Sequence, residues 1–320
     1  MLALVFDKGT MTLRKEYPAP VPRRGEALVA VRKAGVCKTD LEILKGYMGF
    51  SGVMGHEFVG TVVRGPRAWL SRRVTADINC PCHRCDLCRR NLPTHCRNRG
   101  VLGIDRHDGV FAEYVAVPVD NLHAIPDSVS DDQAVFVEPL AAVFQILRQV
   151  RFSPRDRVAV IGDGRLGQLA ARVLRLRIDD LTLVGKHRNK LRLAERQGIA
   201  TALLAHFQPA CDRDVVIDCS GSAGGFDLAM RTCRPRGTLV LKSTFAAAGG
   251  MNLAPLVINE VTVVGSRCGP FAPAIRTLAR NEVAVEDMIS ARFPLTEAVK
   301  ALRAAAAGNM KVVMDVRAME

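Results

Sequence analysis

The stretch Val158-Ala-Val-Ile-Gly-Asp-Gly-Arg-Leu-Gly167 decides the fold of this chain. Its apolar residues predict a short strand, a glycine turn of the form G-x-G-x-x-G follows, and the run Gln168–Leu176 predicts a helix. Alone this glycine pattern is weak. Between a strand and a helix, however, it predicts a dinucleotide-binding turn, with a pyrophosphate at the N-terminus of the helix. The alternative is an ordinary αβ unit with an incidental glycine turn. The predicted cofactor-binding residues of the turn are Gly162, Gly164, Leu166 and Gly167.

Strand and helix signals alternate downstream of this turn. A helix is predicted near Phe226–Cys233, and the further predicted strands are Leu181–Val184, Val215–Cys219, Gly237–Leu241 and Val261–Val264. Strands that alternate with helices indicate a parallel, doubly wound sheet, so the predicted fold class is α/β.

The chain on either side of this unit has a different character. Short β-like runs dominate the N-terminal part, at Leu2–Phe6, Ala27–Val31, Glu57–Val63, Arg73–Ile78 and Val110–Val117. A capping-box pattern at Ser130–Gln133 predicts the start of a helix that contains Val137–Ala142. The C-terminal part carries two helical runs and a strand, at Ala272–Ala279, Thr296–Ala307 and Lys311–Val316. We expect an irregular, mainly β domain to which the C-terminal residues return.

The N-terminal part contains a candidate metal site between Gly35 and Glu57. Cys37 and His56 offer a thiolate and an imidazole, the ligands that zinc prefers, and Asp40 and Glu57 are suited to orient them. The alternative for such a pair is a buried free cysteine and a satisfied histidine. Glu138 lies in the apolar stretch V-E-P-L-A-A, where a carboxylate is costly to bury without a partner, so we predict it as the third ligand of a catalytic zinc.

A second metal site is predicted in the short charged segment from Cys80 to Cys96. Four cysteines are spaced as C-x2-C-x2-C-x7-C, at Cys82, Cys85, Cys88 and Cys96. Four thiolates on a short loop are typical of a closed structural zinc site. An iron–sulfur cluster is the competing interpretation, but the bacterial cluster run ends in C-x3-C-P and this segment does not. Cys80 is left over as a non-ligand.

Composition restricts the class of protein. The 320 residues suggest two domains, and the net charge of +13 comes from scattered arginines rather than from a dense stripe with aromatics. This pattern favours a solvated basic surface over nucleic-acid binding, although it can help to attract an anionic cofactor. No run of eighteen apolar residues and no export signal is present, so we expect no membrane partner and a cytoplasmic protein with reduced thiols.

Taken together, these motifs resemble the zinc-dependent medium-chain dehydrogenase/reductase family, which includes alcohol, sorbitol, threonine and glucose dehydrogenases. The resemblance runs nearly end to end, because G-V-C-K-T-D, G-H-E, the four-cysteine segment, E-P-L-A and G-x-G-x-x-G occur in the family's order. It implies a Rossmann domain, 131–266, inserted in a mainly β GroES-like catalytic domain formed by 1–130 and 267–320. The resemblance also implies that the active site lies in the cleft between them.

The resemblance implies roles for individual residues. Cys37, His56 and Glu138 are similar to the family's catalytic zinc ligands, with glutamate in third place as in the polyol and glucose dehydrogenases. Glu57 resembles an acidic residue that can approach the metal, and Thr39 resembles the hydroxyl residue that contacts the substrate alcohol. Glu42 stands where a relay histidine is common, so a proton relay through it is an expectation. Lys38 replaces the usual glycine after the zinc cysteine.

The end of the second Rossmann strand predicts the coenzyme. In this fold an acidic residue there binds the ribose hydroxyls and repels a 2′-phosphate. Gly185 occupies that place, followed by the cations Lys186, His187 and Arg188. A lysine and an arginine suit a phosphate, so we predict a preference for NADP(H) that Gly185→Asp should shift toward NAD(H). A solvated turn in an NAD enzyme is the alternative.

The predicted function is therefore hydride transfer between a nicotinamide cofactor and an alcohol, polyol or sugar, or its carbonyl product, by an enzyme with two zinc ions per chain. Family members often pair Rossmann sheets edge to edge, so we expect a homodimer or homotetramer with Glu260–Ser266 as the edge strand. One competing class is a zinc-free quinone or enoyl reductase of the same superfamily. The other is a non-enzymatic metal- or nucleic-acid-binding protein.

Overall fold

Alternating apolar residues in the N-terminal part form short strands. The computed structural model of the protein describes residues 1–244 and 252–316. The strands before residue 130 are β1 (Ala3–Asp7), β2 (Thr10–Arg14), β3 (Glu26–Gly35), β4 (Gly52–Val53), β5 (Glu57–Arg64), β6 (Arg73–Ala76), β7 (Asn79–Cys80), β8 (Gly100–Leu102), β9 (Arg106–His107), β10 (Tyr114–Pro118) and β11 (Leu122–Ala124). Two short helices, α1 (Lys38–Ile43) and α2 (Asp86–Arg89), lie on the connections.

The predicted strand Val110–Val117 is wrong in its first half, because β10 begins only at Tyr114. The N–H of Val110 donates to Gly55 O and that of Phe111 to Met54 O, whereas the carbonyl of Phe111 accepts from Leu4 N. Residues 110–113 therefore bond to several segments in turn and form no continuous ladder.

Strands and helices alternate in the central part. The helices are α3 (Asp131–Ala134), α4 (Val137–Gln149), α5 (Arg165–Arg175), α6 (Arg188–Glu195), α7 (Ala223–Thr232) and α8 (Ala254–Ile258). The strands are β12 (Val158–Ile161), β13 (Leu181–Gly185), β14 (Ala200–Leu203), β15 (Arg213–Asp218), β16 (Cys233–Leu241) and β17 (Thr262–Gly265). The C-terminal elements are α9 (Phe271–Ala279), β18 (Ile289–Pro294), α10 (Ala298–Ala306) and β19 (Lys311–Asp315).

The helix predicted from Ser130 through Ala142 is in fact two helices, α3 and α4. The predicted capping box is confirmed: Gln133 N–H donates to Ser130 Oγ and Ser130 N–H donates to the Gln133 side chain. Pro139 explains the break. It lacks an N–H and its ring clashes with the carbonyl four residues earlier, so it is tolerated only in the first turn of a helix, and α4 begins two residues before it.

The predicted parallel, doubly wound sheet is confirmed. Its six strands follow the order β14-β13-β12-β15-β16-β17, and every recorded pair is parallel. The strand order reverses between β12 and β15, and ligands of such sheets bind at the carboxyl ends of the strands at that point. The residues that follow these two strands, Gly162 and Cys219, lie close together there, since a Cβ on Gly162 would lie 2.9 Å from the carbonyl of Cys219.

The β part contains a larger sheet of order β11-β6-β5-β3-β19-β18, with β10 also paired to β3. Strand β19 joins this sheet from the C-terminus, antiparallel to β3, so the C-terminal residues return to it. Two three-stranded sheets, β2-β1-β4 and β7-β8-β9, complete this part.

The chain separates into two compact units. One consists of Met1–Glu138, Ala274–Asn281 and the described residues from Met288 onward, and the other of Pro139–Pro273 and Glu282–Asp287. The first unit extends past residue 130 because Asp131 pairs with Arg32 and Arg73. The predicted domain bounds 1–130, 131–266 and 267–320 stay a prediction, and 317–320 lie outside the described residues. Among the described residues, no helix is long and apolar enough to cross a membrane.

Candidate active site

The end of β3 fixes the position of Cys37. Cys37 is the N-cap residue of α1. Its N–H donates a hydrogen bond to Asp40 Oδ2 at 2.7 Å, which caps the first turn of the helix. Asp40 is fully buried, so this carboxylate is immobilised by packing as well as by the hydrogen bond. The pattern C-K-T-D therefore forms a capped helical turn that fixes the position of the Cys37 thiol.

His56 lies directly before β5 and is almost completely buried. Its Nδ1 is 3.4 Å from Asp40 Oδ1, so the same carboxylate lies against both Cys37 and His56. A carboxylate on one ring nitrogen leaves the other nitrogen for a metal. Burial alone would lower the pKa of His56, but the Asp40 carboxylate and the Cys37 sulfur outweigh it and raise this pKa well above its usual value.

The sulfur of Cys37, a ring nitrogen of His56 and a carboxylate oxygen of Glu57 all lie within 4.8 Å of one another. A thiolate, an imidazole and a carboxylate at this spacing suit zinc. Glu138, the predicted third ligand, belongs to no set of three or more candidate ligands at this spacing among residues 1–244 and 252–316. Burial raises the pKa of Glu138 to about 7, with His56 lowering it and Glu57 raising it, so its carboxyl group senses the same charges.

A buried lysine that the sequence interpretation missed completes this environment. Lys311 Nζ, on β19, forms an ion pair with Glu57 Oε2, and both side chains are almost wholly buried. The ammonium also lies 5.3 Å from the centre of the Phe136 ring. A Cβ on Gly35 would fall 2.7 Å from Lys311 Nζ and 2.8 Å from Glu57 Oε2, so glycine is required there. The only sequence signal was a lysine opening the apolar strand K-V-V-M-D.

The residues predicted to handle the proton follow Cys37 on α1. Thr39 Oγ1 is 3.7 Å from Cys37 Sγ and is partly exposed. Glu42 lies three residues further on the same helix, on the same face. Its carboxylate pairs with Lys45 Nζ at 3.1 Å, and it remains accessible to solvent. Thr39 thus lies next to the thiol, and Glu42 lies about one turn further along the helix.

The four-cysteine segment folds around its own sulfurs. The Sγ–Sγ distances are 3.5 Å for Cys85–Cys88, 3.7 Å for Cys85–Cys96 and 3.4 Å for Cys82–Cys96. Tetrahedral zinc with Zn–S bonds of about 2.3 Å needs sulfurs about 3.8 Å apart, so this cage fits the ion closely. The N–H groups of Cys82 and Asn98 donate to Cys96 Sγ at 3.3 Å, which favours the thiolate.

Two thiols of this cage have strongly shifted pKa values. The backbone N–H of Arg84 lowers the pKa of Cys82 to about 6, whereas burial and the adjacent Cys85 sulfur raise the pKa of Cys88 to about 12. Four adjacent sulfurs cannot all be thiolates without a compensating charge. Bound zinc would supply that charge, because a coordinating thiol is deprotonated outright. Burial raises the pKa of the surplus Cys80 to about 12, as expected for an inert thiol.

The glycine turn at the end of β12 contains glycines of two kinds. A Cβ on Gly167 would lie 1.8 Å from Gly162 O, so this glycine is required by the packing of α5 on the strand. Gly164 differs, because its φ of −73° suits any residue and a Cβ there would meet nothing within 4 Å. A glycine with neither constraint leaves open space where a pyrophosphate can approach the backbone. Leu166 lies partly exposed in the first turn of α5.

The predicted coenzyme-specificity residues lie at the end of β13 and the start of α6. Gly185 is buried, and Lys186, His187 and Arg188 are exposed. Arg188 lines a cavity between α6 and β14, together with Leu191, Glu195, Thr201, Ala202, Leu203 and His206. The expected effect of Gly185→Asp needs correction, since a Cβ on Gly185 would lie 2.4 Å from Cβ and 2.6 Å from Oδ2 of Asp163. The single substitution does not fit unless Asp163 moves.

Two family sequence models match this chain. The alcohol dehydrogenase GroES-like domain matches residues 23–127, and the zinc-binding dehydrogenase model matches residues 166–281. A sorbitol dehydrogenase of Halalkalibacterium halodurans is 28% identical, covering 94% of each chain. A D-altritol 5-dehydrogenase of Agrobacterium fabrum is 29% identical, covering 93% of this chain and 94% of its own.

Solved structures agree with these matches. A Sinorhizobium meliloti protein described as a zinc-binding dehydrogenase and bound to NADP superposes with a TM-score of 0.90 at 29% identity, covering 98% of this chain and 99% of its own. The alcohol dehydrogenase of Thermus sp. ATN1 gives a TM-score of 0.88 at 27% identity, covering 99% of this chain and all of its own.

Proposed function

Because this chain belongs to the zinc-dependent medium-chain dehydrogenase/reductase family, we propose that it interconverts a polyol or sugar alcohol and its carbonyl product with NADP(H). The observation that supports the proposal is that one buried carboxylate, Asp40, contacts both the backbone N–H of Cys37 and the imidazole of His56. The sorbitol and D-altritol dehydrogenases among its relatives support the polyol class of substrate.

In this proposal Cys37, His56 and Glu138 hold a catalytic zinc, and the four-cysteine cage holds a structural one. When bound, the catalytic zinc supplies Lewis acidity that lowers the pKa of a substrate hydroxyl. Glu57 lies closer to Cys37 and His56 than Glu138 does, but its charge is already matched by Lys311. We therefore assign Glu57 an orienting role and keep Glu138, which has no recorded ion pair among the described residues, as the third ligand.

Thr39 and Glu42 carry the proton. In alcohol oxidation Thr39 Oγ1 accepts the substrate hydroxyl proton as it passes its own proton outward, and the Glu42 carboxylate receives it at the surface. Lys45 Nζ lies 3.1 Å from this carboxylate. The nicotinamide, when bound, supplies the hydride acceptor, and its chemistry belongs to the cofactor.

The proposed coenzyme site is the glycine turn with the cations after Gly185. An NADP-bound relative at 29% identity supports the phosphorylated coenzyme, and the absence of a carboxylate at position 185 removes the usual repulsion of a 2′-phosphate. The test is a screen of polyols, sugars and simple alcohols with NADP+ and NAD+, following nicotinamide absorbance. The proposal predicts turnover of a polyol with a higher kcat/KM for NADP+. Activity only on quinones or enoyl compounds, surviving zinc removal, would replace it with the zinc-free reductase class.

We also propose a homodimer formed through the edge of the parallel sheet. Strand β17 is the last strand of the sheet and exposes much of Val263, and α8 next to it exposes Val257 and Ile258 to more than three quarters. Such apolar exposure at the edge of the described sheet favours pairing with a second copy. Sedimentation of the wild type should give a dimer or tetramer, and Ile258→Lys with Val263→Lys should give monomers. A monomeric wild type would contradict this part of the proposal.

A further inference from the structure

Asp163, the second residue of the glycine turn, makes contacts that its sequence position does not explain. The side chain is buried, with 7% of the residue exposed. The N–H of His187 donates to Asp163 Oδ2 at 2.6 Å, and His187 Nδ1 lies 3.1 Å from both carboxylate oxygens. Asp163 therefore ties the turn after β12 to the start of α6, twenty-four residues along the chain.

The same carboxylate occupies the space in which a side chain at position 185 would begin. A Cβ there would lie 2.4 to 2.7 Å from Cβ, Oδ2 and Cγ of Asp163. In this fold the residue at that place normally supplies the acid that binds the ribose. Here an acid is present, but it comes from position 163 and its oxygens already accept hydrogen bonds from His187. Gly185 and Asp163 thus form a matched pair.

We propose that Asp163 is a positioning residue that sets coenzyme preference by holding His187 toward the 2′-phosphate of NADP(H). Because Nδ1 of His187 faces Asp163, Nε2 is left for the ligand, and about half of the imidazole is exposed. The backbone bond from His187 N–H also fixes the turn that carries Lys186. The proposal rests on NADP(H) being the coenzyme, and it identifies the group that arranges the phosphate site.

Arg188 is the obvious competitor for the phosphate, but its surroundings differ. It lines the cavity between α6 and β14 beside Glu195, whose carboxylate accepts a hydrogen bond from Thr201. No recorded contact joins Arg188 to Asp163 or His187 among the described residues. Asp163 therefore holds His187 and not Arg188, and the proposal concerns phosphate recognition by His187.

The test compares the binding of 2′,5′-ADP and 5′-ADP by calorimetry, which needs neither substrate nor catalytic zinc. The variants are Asp163→Ala, Asp163→Asn and His187→Ala, with Asp156→Ala as control, because Asp156 also accepts a backbone N–H but in the turn before β12. Asp163→Ala and His187→Ala should each weaken 2′,5′-ADP by about tenfold or more and 5′-ADP by less than about threefold, as expected for losing a charged hydrogen bond. Asp163→Asn should lose less, since its amide oxygen can still accept from His187 N–H.

Combining the variants shows whether the two residues act together. The double variant Asp163→Ala with His187→Ala should bind 2′,5′-ADP no more weakly than either single variant, because each substitution removes the same interaction between a held His187 and the phosphate. Additive losses would overturn the proposal. A ratio of affinities that Asp163→Ala and Asp163→Asn leave unchanged would overturn it as well.

A stronger 2′,5′-ADP affinity in both Asp163 variants would also overturn it, since Asp163 would then repel the phosphate. The wild-type ratio tests the coenzyme part of the proposed function separately. A wild type that does not favour 2′,5′-ADP removes the NADP(H) assignment, whereas a wild type that favours it with insensitive Asp163 variants removes only the present inference. If Asp163→Ala does not fold, Asp163→Asn and His187→Ala still decide the question.

Discussion

Single residues near Cys37 show how a buried charge is kept in place. Glu57 follows His56 directly, yet its partner Lys311 is 254 positions away. Each charge alone would be costly in this interior, and together they neutralise one another beside the candidate metal ligands. Gly35 makes the pairing possible because any side chain there would collide with both groups.

Replacing Lys311 by methionine should leave the Glu57 carboxylate buried without a partner. We expect the free energy of unfolding to fall by about 3 to 5 kcal/mol, the usual cost of breaking a buried ion pair. Denaturant titration measures this change. Adding Glu57→Gln to Lys311→Met should restore most of the loss, because no charge then remains unpaired. A double variant as unstable as Lys311→Met would show that packing of the lysine, not its charge, is what matters.

The sequence could predict the mount of Cys37 but not its surroundings. Cys37, Asp40, His56 and Glu57 are recognisable because they are close in sequence and of types that bind zinc. Lys311 and Asp163 were missed for a physical reason. Each interacts with a residue that is distant in sequence and comes near only when the strands pair in a sheet. No local sequence pattern predicts such a pair.

At the scale of elements, two glycines of the glycine turn, Gly164 and Gly167, are glycine for different reasons. Gly167 is needed for packing, since its Cβ would meet Gly162 O, whereas Gly164 leaves space that the protein itself does not fill. The strand and helix on either side were predictable because both are short, regular and local. Strand β18 was not predicted, since none of its residues is fully buried and its place in the sheet comes from pairing with β19.

Alanine substitutions at these two glycines should have opposite effects. Gly167→Ala should destabilise the second unit by about 3 kcal/mol or more, as an overpacked site against backbone does. Gly164→Ala should lower stability by no more than about 1 kcal/mol, because Gly164 is the N-cap of α5, where alanine is somewhat less favourable than glycine. It should nevertheless weaken NADP+ binding by about tenfold or more if the pyrophosphate lies there. Thermal unfolding and calorimetry separate the two quantities, and unchanged NADP+ affinity in Gly164→Ala would place the pyrophosphate elsewhere.

The four-cysteine cage should behave as a folding element. Its binding free energy is folding free energy, so Cys88→Ser should lower the midpoint of thermal unfolding by about 5 °C or more. Cys80→Ser is the matched control, since Cys80 lies in the same segment and has no sulfur contact recorded with the cage. It should leave the midpoint and the zinc content unchanged. Equal losses in both variants would mean that the segment is stabilised by packing rather than by metal.

At the scale of the whole molecule, the two units contain different candidate sites. The mainly β unit carries Cys37, His56 and Glu138, and the parallel sheet carries the glycine turn. The net charge of +13 matches an anionic coenzyme better than a neutral polyol. The sequence could predict both units because each has its own periodicity. It could not predict the substrate, because no motif in the chain identifies one.

Zinc content and turnover, measured on the same preparations of wild type and Cys37→Ser, test the central claim most directly. The account predicts two zinc ions and NADP+-dependent polyol oxidation for the wild type. For Cys37→Ser it predicts one zinc ion, turnover reduced by about a thousandfold or more, and unchanged NADP+ affinity, because the fold and the glycine turn are untouched. A Cys37→Ser enzyme that retains both its zinc content and its turnover would contradict the account.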